Sequence, residues 1–141
     1  MERSLMIIKP DAVRKGHMGD IVSIVEKLDG LNIVALRLVK LSPQDAQKFY
    51  DIHKERPFYN DLVKYMTSGN VVVIAIEGEN AVKRMREVIG ATNPADAAKG
   101  TIRKLYAESI EANAVHGSDS PENGLLETGF FFFEREFLRL R

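Results

Sequence analysis

Val71-Val72-Val73-Ile74-Ala75-Ile76-Glu77, residues 71–77, is an unbroken aliphatic run closed by an acid. Its length and its β-branched content read as a strand. Upstream, Phe58, Leu62, Tyr65 and Met66 recur at helical spacing, and Pro57 parts them from an earlier helix. Ser42 reads as the N-cap of that earlier helix and Pro43 as its first-turn residue, with Ala46, Phe49, Tyr50 and His53 on one face. Further out, residues 33–41 read as a second strand and residues 5–9 as a third. Between them Met18, Ile21, Val22, Val25 and Leu28 mark an amphipathic helix that Gly30 stops. Downstream, Asn80 opens a helix whose apolar face is Val82, Met85 and Ile89 and which ends near Gly90. Residues 92–100 contain Asn93-Pro94-Ala95-Asp96 and read as a loop, and residues 129–134 read as the last strand.

The order is strand, helix, strand, helical hairpin, strand, helix, loop, strand, which contains the βαββαβ pattern of a ferredoxin-like α+β fold. The expected architecture is a four-stranded antiparallel sheet with helices packed around it, most economically on one face. At 141 residues the chain fits a single domain over residues 1–141, and a domain of this size buries roughly two thirds of the surface of its unfolded chain. The absence of cysteine excludes disulfides, thiolate metal sites and cysteine nucleophiles. Lys plus Arg and Asp plus Glu stand at 20 each, so no global basic field draws nucleic acid and an anionic ligand must meet a local cluster. The apolar run at the N-terminus is too short for a signal peptide, and no stretch approaches the ~20 apolar residues of a membrane span. A soluble cytoplasmic protein is the expectation.

The stretch Asn113-Ala114-Val115-His116-Gly117-Ser118-Asp119 carries the chemistry. A neutral imidazole is a nucleophile near pH 7. Gly117 lets the backbone turn or approach closely, and Ser118, Asp119 and Ser120 before Pro121 read as N-cap chemistry opening a helix. Neither a Gly-x-x-x-x-Gly-Lys-Ser/Thr loop nor a Gly-x-Gly-x-x-Gly turn occurs, so phosphates would be met by another device. The available cations stand at element ends: Lys9, Arg56, Arg86 and Arg103. Arg84 and Arg139 read as ordinary surface arginines.

Together with Ile8-Lys9-Pro10-Asp11, Arg56-Pro57-Phe58, Thr92-Asn93-Pro94-Ala95-Asp96 and Gly100-Thr101-Ile102-Arg103, this stretch closely resembles nucleoside diphosphate kinases over nearly the whole chain. The resemblance implies a ping-pong phosphotransferase. His116 would take the γ-phosphoryl group of a nucleoside triphosphate and pass it to a nucleoside diphosphate, two half-reactions at one site. It assigns Arg86, Arg103, Thr92 and His53 to the phosphates, with Arg56 close by, and Lys9 and Asn113 to the ribose hydroxyl near the leaving oxygen. It makes Phe58 the base-stacking aromatic flanked by Leu62. Glu127 would orient the histidine ring and the Tyr50 hydroxyl would lie near the transferred group. Mg²⁺ would arrive on the nucleotide phosphates with no protein ligand of its own. The implied partners are nucleoside di- and triphosphates such as ATP and GDP, with no membrane and with copies of the same chain in a homo-oligomer, tetramer or hexamer.

Lys99 stands where relatives commonly have proline, Lys104-Leu105 replaces a small and acidic pair, and Phe130-Phe131-Phe132-Phe133 is unusual. These departures bear on subunit contacts. The rival reading is a noncatalytic nucleic-acid-binding module of the same strand order, with the phenylalanine run as a stacking platform. The missing positive charge speaks against nucleic acid as the primary partner. For Arg103→Ala the expectation is slower phosphorylation with the fold intact.

Overall fold

The computed structural model describes residues 1–138, and Arg139 lies outside them. In chain order the elements are β1 (Glu2–Ile8), α1 (Pro10–Arg14), α2 (Met18–Glu26), β2 (Leu31–Val39), α3 (Pro43–Phe49), α4 (Tyr59–Met66), β3 (Val71–Gly78), α5 (Ala81–Ile89), α6 (Ile102–Tyr106), β4 (Val115–Gly117) and α7 (Pro121–Phe131). Short 3₁₀ turns occupy Asp51–His53, Pro94–Asp96 and Glu134–Glu136. The strands form one antiparallel sheet in the order β2-β3-β1-β4.

The aliphatic run of β3 has no polar alternation because the strand is buried on both faces. Val72, Ile74 and Ile76 pack with Ile21 and Val25 of α2, Met85 and Ile89 of α5, and Ile102 of α6. Val71, Val73 and Ala75 point the other way, to Ala46, Tyr50, Val63, Met66 and Phe132. Each fully buried aliphatic side chain of this size stabilises the fold by about 1.5–3 kcal/mol. Helices therefore cover both faces, as packing around the sheet requires, and the more economical one-face arrangement is corrected.

The fourth strand is β4, paired to β1 in the register Ile7↔His116, and not residues 129–134. Ser120 accepts a hydrogen bond from the Asn123 amide and Pro121 fills the first helical position, so α7 runs through Phe131 and absorbs the first half of the phenylalanine run. Phe130 and Phe131 thus lie on a helix, which removes the sheet platform of the nucleic-acid reading. The helix opened by Ser42 ends at Phe49 and not at Pro57, because a separate 3₁₀ turn carries His53. Two short helices, α1 and α6, fall in segments too brief to show a period.

Candidate active site

His116 sits on β4 beside β1, where Gly117 allows the approach of α5: a Cβ at residue 117 would meet Ile89 Cδ1 at 2.6 Å. The imidazole Nε2 lies 3.0 Å from Glu127 Oε1, contributed by α7. Glu127 is held in turn by the Ser118 hydroxyl, which donates to Oε1 at 2.6 Å and accepts from the Leu5 amide at 2.9 Å. A carboxylate on Nε2 favours the proton on that nitrogen and leaves the Nδ1 lone pair outward. Nδ1 has no hydrogen-bond partner among the described residues. The Phe49 ring stands edge-on to the imidazole at 5.7 Å between centroids.

Next to the histidine stand Lys9, Arg86 and Arg103, none of which forms an ion pair among the described residues. Lys9, at the end of β1, donates from Nζ to Asn113 Oδ1 at 2.8 Å, and Asn113 Nδ2 donates to the Thr92 carbonyl at 3.3 Å. Burial and the Arg103 guanidinium push the Lys9 ammonium down to about 8, against a smaller opposing pull from Asp11. Burial and Arg86 bring Arg103 down to about 10. Arg86, Arg103, Gly90 and Gly117 line one cleft. Arg103 donates to the carbonyls of Gly90 at 3.0 Å and Val115 at 2.9 Å, and its buried Nε has no partner among the described residues. Like charges held this close in a poorly solvated cleft form a standing demand for an anion.

On the other side of His116 a cavity of about 320 Å³ is lined by Phe49, Tyr50, His53, Glu127 and Phe130 among others. The Tyr50 hydroxyl is buried with no hydrogen-bond partner among the described residues, and burial with the nearby Glu127 raises its pKa, so it stays protonated as a donor. The α3–α4 hairpin carries Phe58, about half exposed, with its ring 5.5 Å from that of His53. Leu62 is partly buried against the second core, while Arg56 is exposed and joined to the cluster by no ion pair among the described residues. The structure thus unites Lys9, Asn113, Thr92, Arg103, Arg86, His116, Glu127, Tyr50 and His53, and leaves Arg56, Phe58 and Leu62 at the rim.

A family model for nucleoside diphosphate kinase matches residues 2–137. The chain belongs to the nucleoside diphosphate kinase family. Nucleoside diphosphate kinases of Nitratiruptor sp. and Campylobacter curvus are 61% and 60% identical to it, covering 98% and 96% of this chain and 100% and 98% of theirs. Among solved structures, the Aquifex aeolicus nucleoside diphosphate kinase superposes with a TM-score of 0.94 at 42% identity, over 97% of this chain and 99% of that one. A halophilic nucleoside diphosphate kinase from Halobacterium salinarum, solved with CDP, gives 0.92 at 35% identity, over 99% and 93%. As a nucleoside diphosphate kinase, the chain is a phosphotransferase acting between nucleoside triphosphates and diphosphates.

Sequence reasoning missed two residues of the site. Ser118 reads in sequence as helix-cap chemistry, yet its hydroxyl ties Glu127 to β1. Asp11 stands in a motif that gives it no role, and it is buried against the backbone two residues before His116. Only the pairing of β4 with β1 brings these groups together, and three residues of strand carry no readable period.

Proposed function

We propose that His116 is the phosphoryl carrier and that Nδ1 is its reactive atom. The observation that carries this is an imidazole with Nε2 held by a carboxylate and Nδ1 open, set beside cations that form no ion pair among the described residues. In the first half-reaction a bond forms from Nδ1 to the γ-phosphorus of a nucleoside triphosphate. The bond from that phosphorus to the bridging oxygen breaks, and the diphosphate leaves with the electron pair. Glu127 keeps the Nε2 proton and stabilises the charge that the ring gains. Arg86, Arg103, Thr92 and His53 bind the phosphate oxygens, the planar guanidinium donors matching them bidentately, with Arg56 at the entrance. Lys9 and Asn113 hold the ribose hydroxyl near the leaving oxygen, and the Tyr50 hydroxyl donates toward the transferred group. Phe58, flanked by Leu62, stacks on the base without reading its edge. ATP as donor and GDP as acceptor then use one site in turn.

Among the described residues no group of three or more His, Asp or Glu side chains converges on a point. Mg²⁺ would enter on nucleotide oxygens and water, the octahedral oxygen ligation this ion prefers. When bound, the ion offsets phosphate charge. No helix among the described residues is long and apolar enough to cross a membrane. Our reading is of a cytoplasmic enzyme with one domain over residues 1–141. We also propose that it assembles as a homo-oligomer, because β2 is an edge strand carrying the exposed side chains of Leu36 and Leu38.

Incubation with γ-labelled ATP tests the carrier. The expected result is an acid-labile, base-stable protein phosphate that GDP discharges as labelled GTP, absent from His116→Ala. A label that persists on that variant refutes His116.

A further inference from the structure

Asp11 is a buried carboxylate, 5% exposed, that forms no ion pair among the described residues. Its Oδ2 accepts from the Ala114 amide at 3.1 Å and its Oδ1 accepts from the Tyr65 hydroxyl. Ala114 has φ +73°, one of two non-glycine residues with positive φ among those described. The Val115 amide donates to the Asn113 carbonyl at 2.9 Å, which closes a three-residue turn around Ala114. That φ and that hydrogen bond define the rare, strained form of γ-turn. Strain of this sort persists only where the surroundings hold it. Here both ends of Ala114 are gripped: its amide by Asp11, and its carbonyl by the Lys9 amide at 2.8 Å.

The turn has a chemical consequence on each side. Before it, Asn113 reaches Lys9 Nζ and the Thr92 carbonyl; after it, the chain enters β4 with His116. We propose that Asp11 is a positioning residue for phosphoryl transfer: it holds Ala114 in the left-handed region and so fixes His116 relative to Lys9 and Asn113. Tyr65, from α4, fixes the carboxylate itself. This inference rests on the reading of His116 as the phosphoryl carrier.

The test is the single-turnover rate of His116 phosphorylation by saturating γ-labelled ATP, measured well below each variant's melting temperature. Asp11→Ala is expected to slow it about tenfold or more, since small misplacements of reacting groups cost up to 10²-fold. Asp11→Asn keeps a carbonyl acceptor for the Ala114 amide and is expected to keep most of the rate. Adding Ala114→Gly to Asp11→Ala is expected to restore rate, because glycine adopts positive φ without the clash that alanine suffers. A folded Asp11→Ala protein that reacts at the wild-type rate, or one that Ala114→Gly leaves equally slow, overturns the proposal. If Asp11→Ala does not fold, Tyr65→Phe decides: a slower rate supports the proposal, and a wild-type rate at unchanged secondary structure overturns it. Failure of the carrier reading shows separately, as label on His116→Ala or no label on wild type.

Discussion

Lys9 holds its charge at a cost. Its ammonium is buried at the end of β1 although the residue as a whole is partly exposed, its neighbour Arg103 is also cationic, and burial pushes its pKa down to about 8 from an ordinary 10.5. A cation with a depressed folded-state pKa opposes folding while it stays charged. Below pH 8 that cost is present in full, and between about 8 and 10.5 stability rises as the folded form sheds its proton first. A polyphosphate supplies the missing anion and raises the pKa again, so nucleotide binding above pH 8 should take up a proton. Calorimetry of ADP binding near pH 8.5, in buffers of different ionisation heat, should show this uptake in wild type and not in Lys9→Met. Equal uptake by both proteins would assign the proton elsewhere. The sequence made Lys9 a candidate through its motif, but the depressed pKa follows from burial and from Arg103, which approaches only in the folded chain.

Arg103 shows how an element can make a binding residue structural as well. It lies in α6, is 9% exposed, and its two terminal nitrogens bridge Gly90 at the end of α5 and Val115 in β4. The expectation that Arg103→Ala leaves the fold intact is therefore revised. Two carbonyls lose a charged donor, and a buried polar group left unpaired costs about 1–3 kcal/mol. Relief from burying the cation offsets part of this. We expect Arg103→Ala to lower the urea midpoint as well as the phosphorylation rate, with Arg103→Lys restoring charge but not both bonds. An unchanged midpoint would show that the carbonyls are satisfied otherwise. At this scale legibility followed local signals. Ser42-Pro43 announced α3 because its cap forms, with Ser42 Oγ accepting from the Asp45 amide at 3.0 Å. The phenylalanine run misled because β-propensity at residues 129–134 yields to the helix that Ser120 and Pro121 start.

Across the whole molecule, the sheet has short β4 at one edge and long β2 at the other, where the Leu138 amide donates to the Val34 carbonyl at 2.9 Å. Beyond that contact Leu36 and Leu38 of β2 are 44% and 54% exposed, and an edge strand with exposed apolar side chains is prone to pair with another chain. If β2 builds the proposed homo-oligomer, sedimentation should find wild type larger than one chain and Leu38→Glu shifted toward monomer. A wild-type protein that sediments as a single chain would sink the proposal. Periodicity, caps and motif order in the sequence determined most elements, the ferredoxin-like class and the family, because those signals are local or carried residue by residue. Tertiary structure alone decided which strand completes the sheet, that helices cover both faces, and that Asp11 and Ser118 converge on the segment of His116. Those contacts join residues far apart in the chain, where no period or spacing can record them.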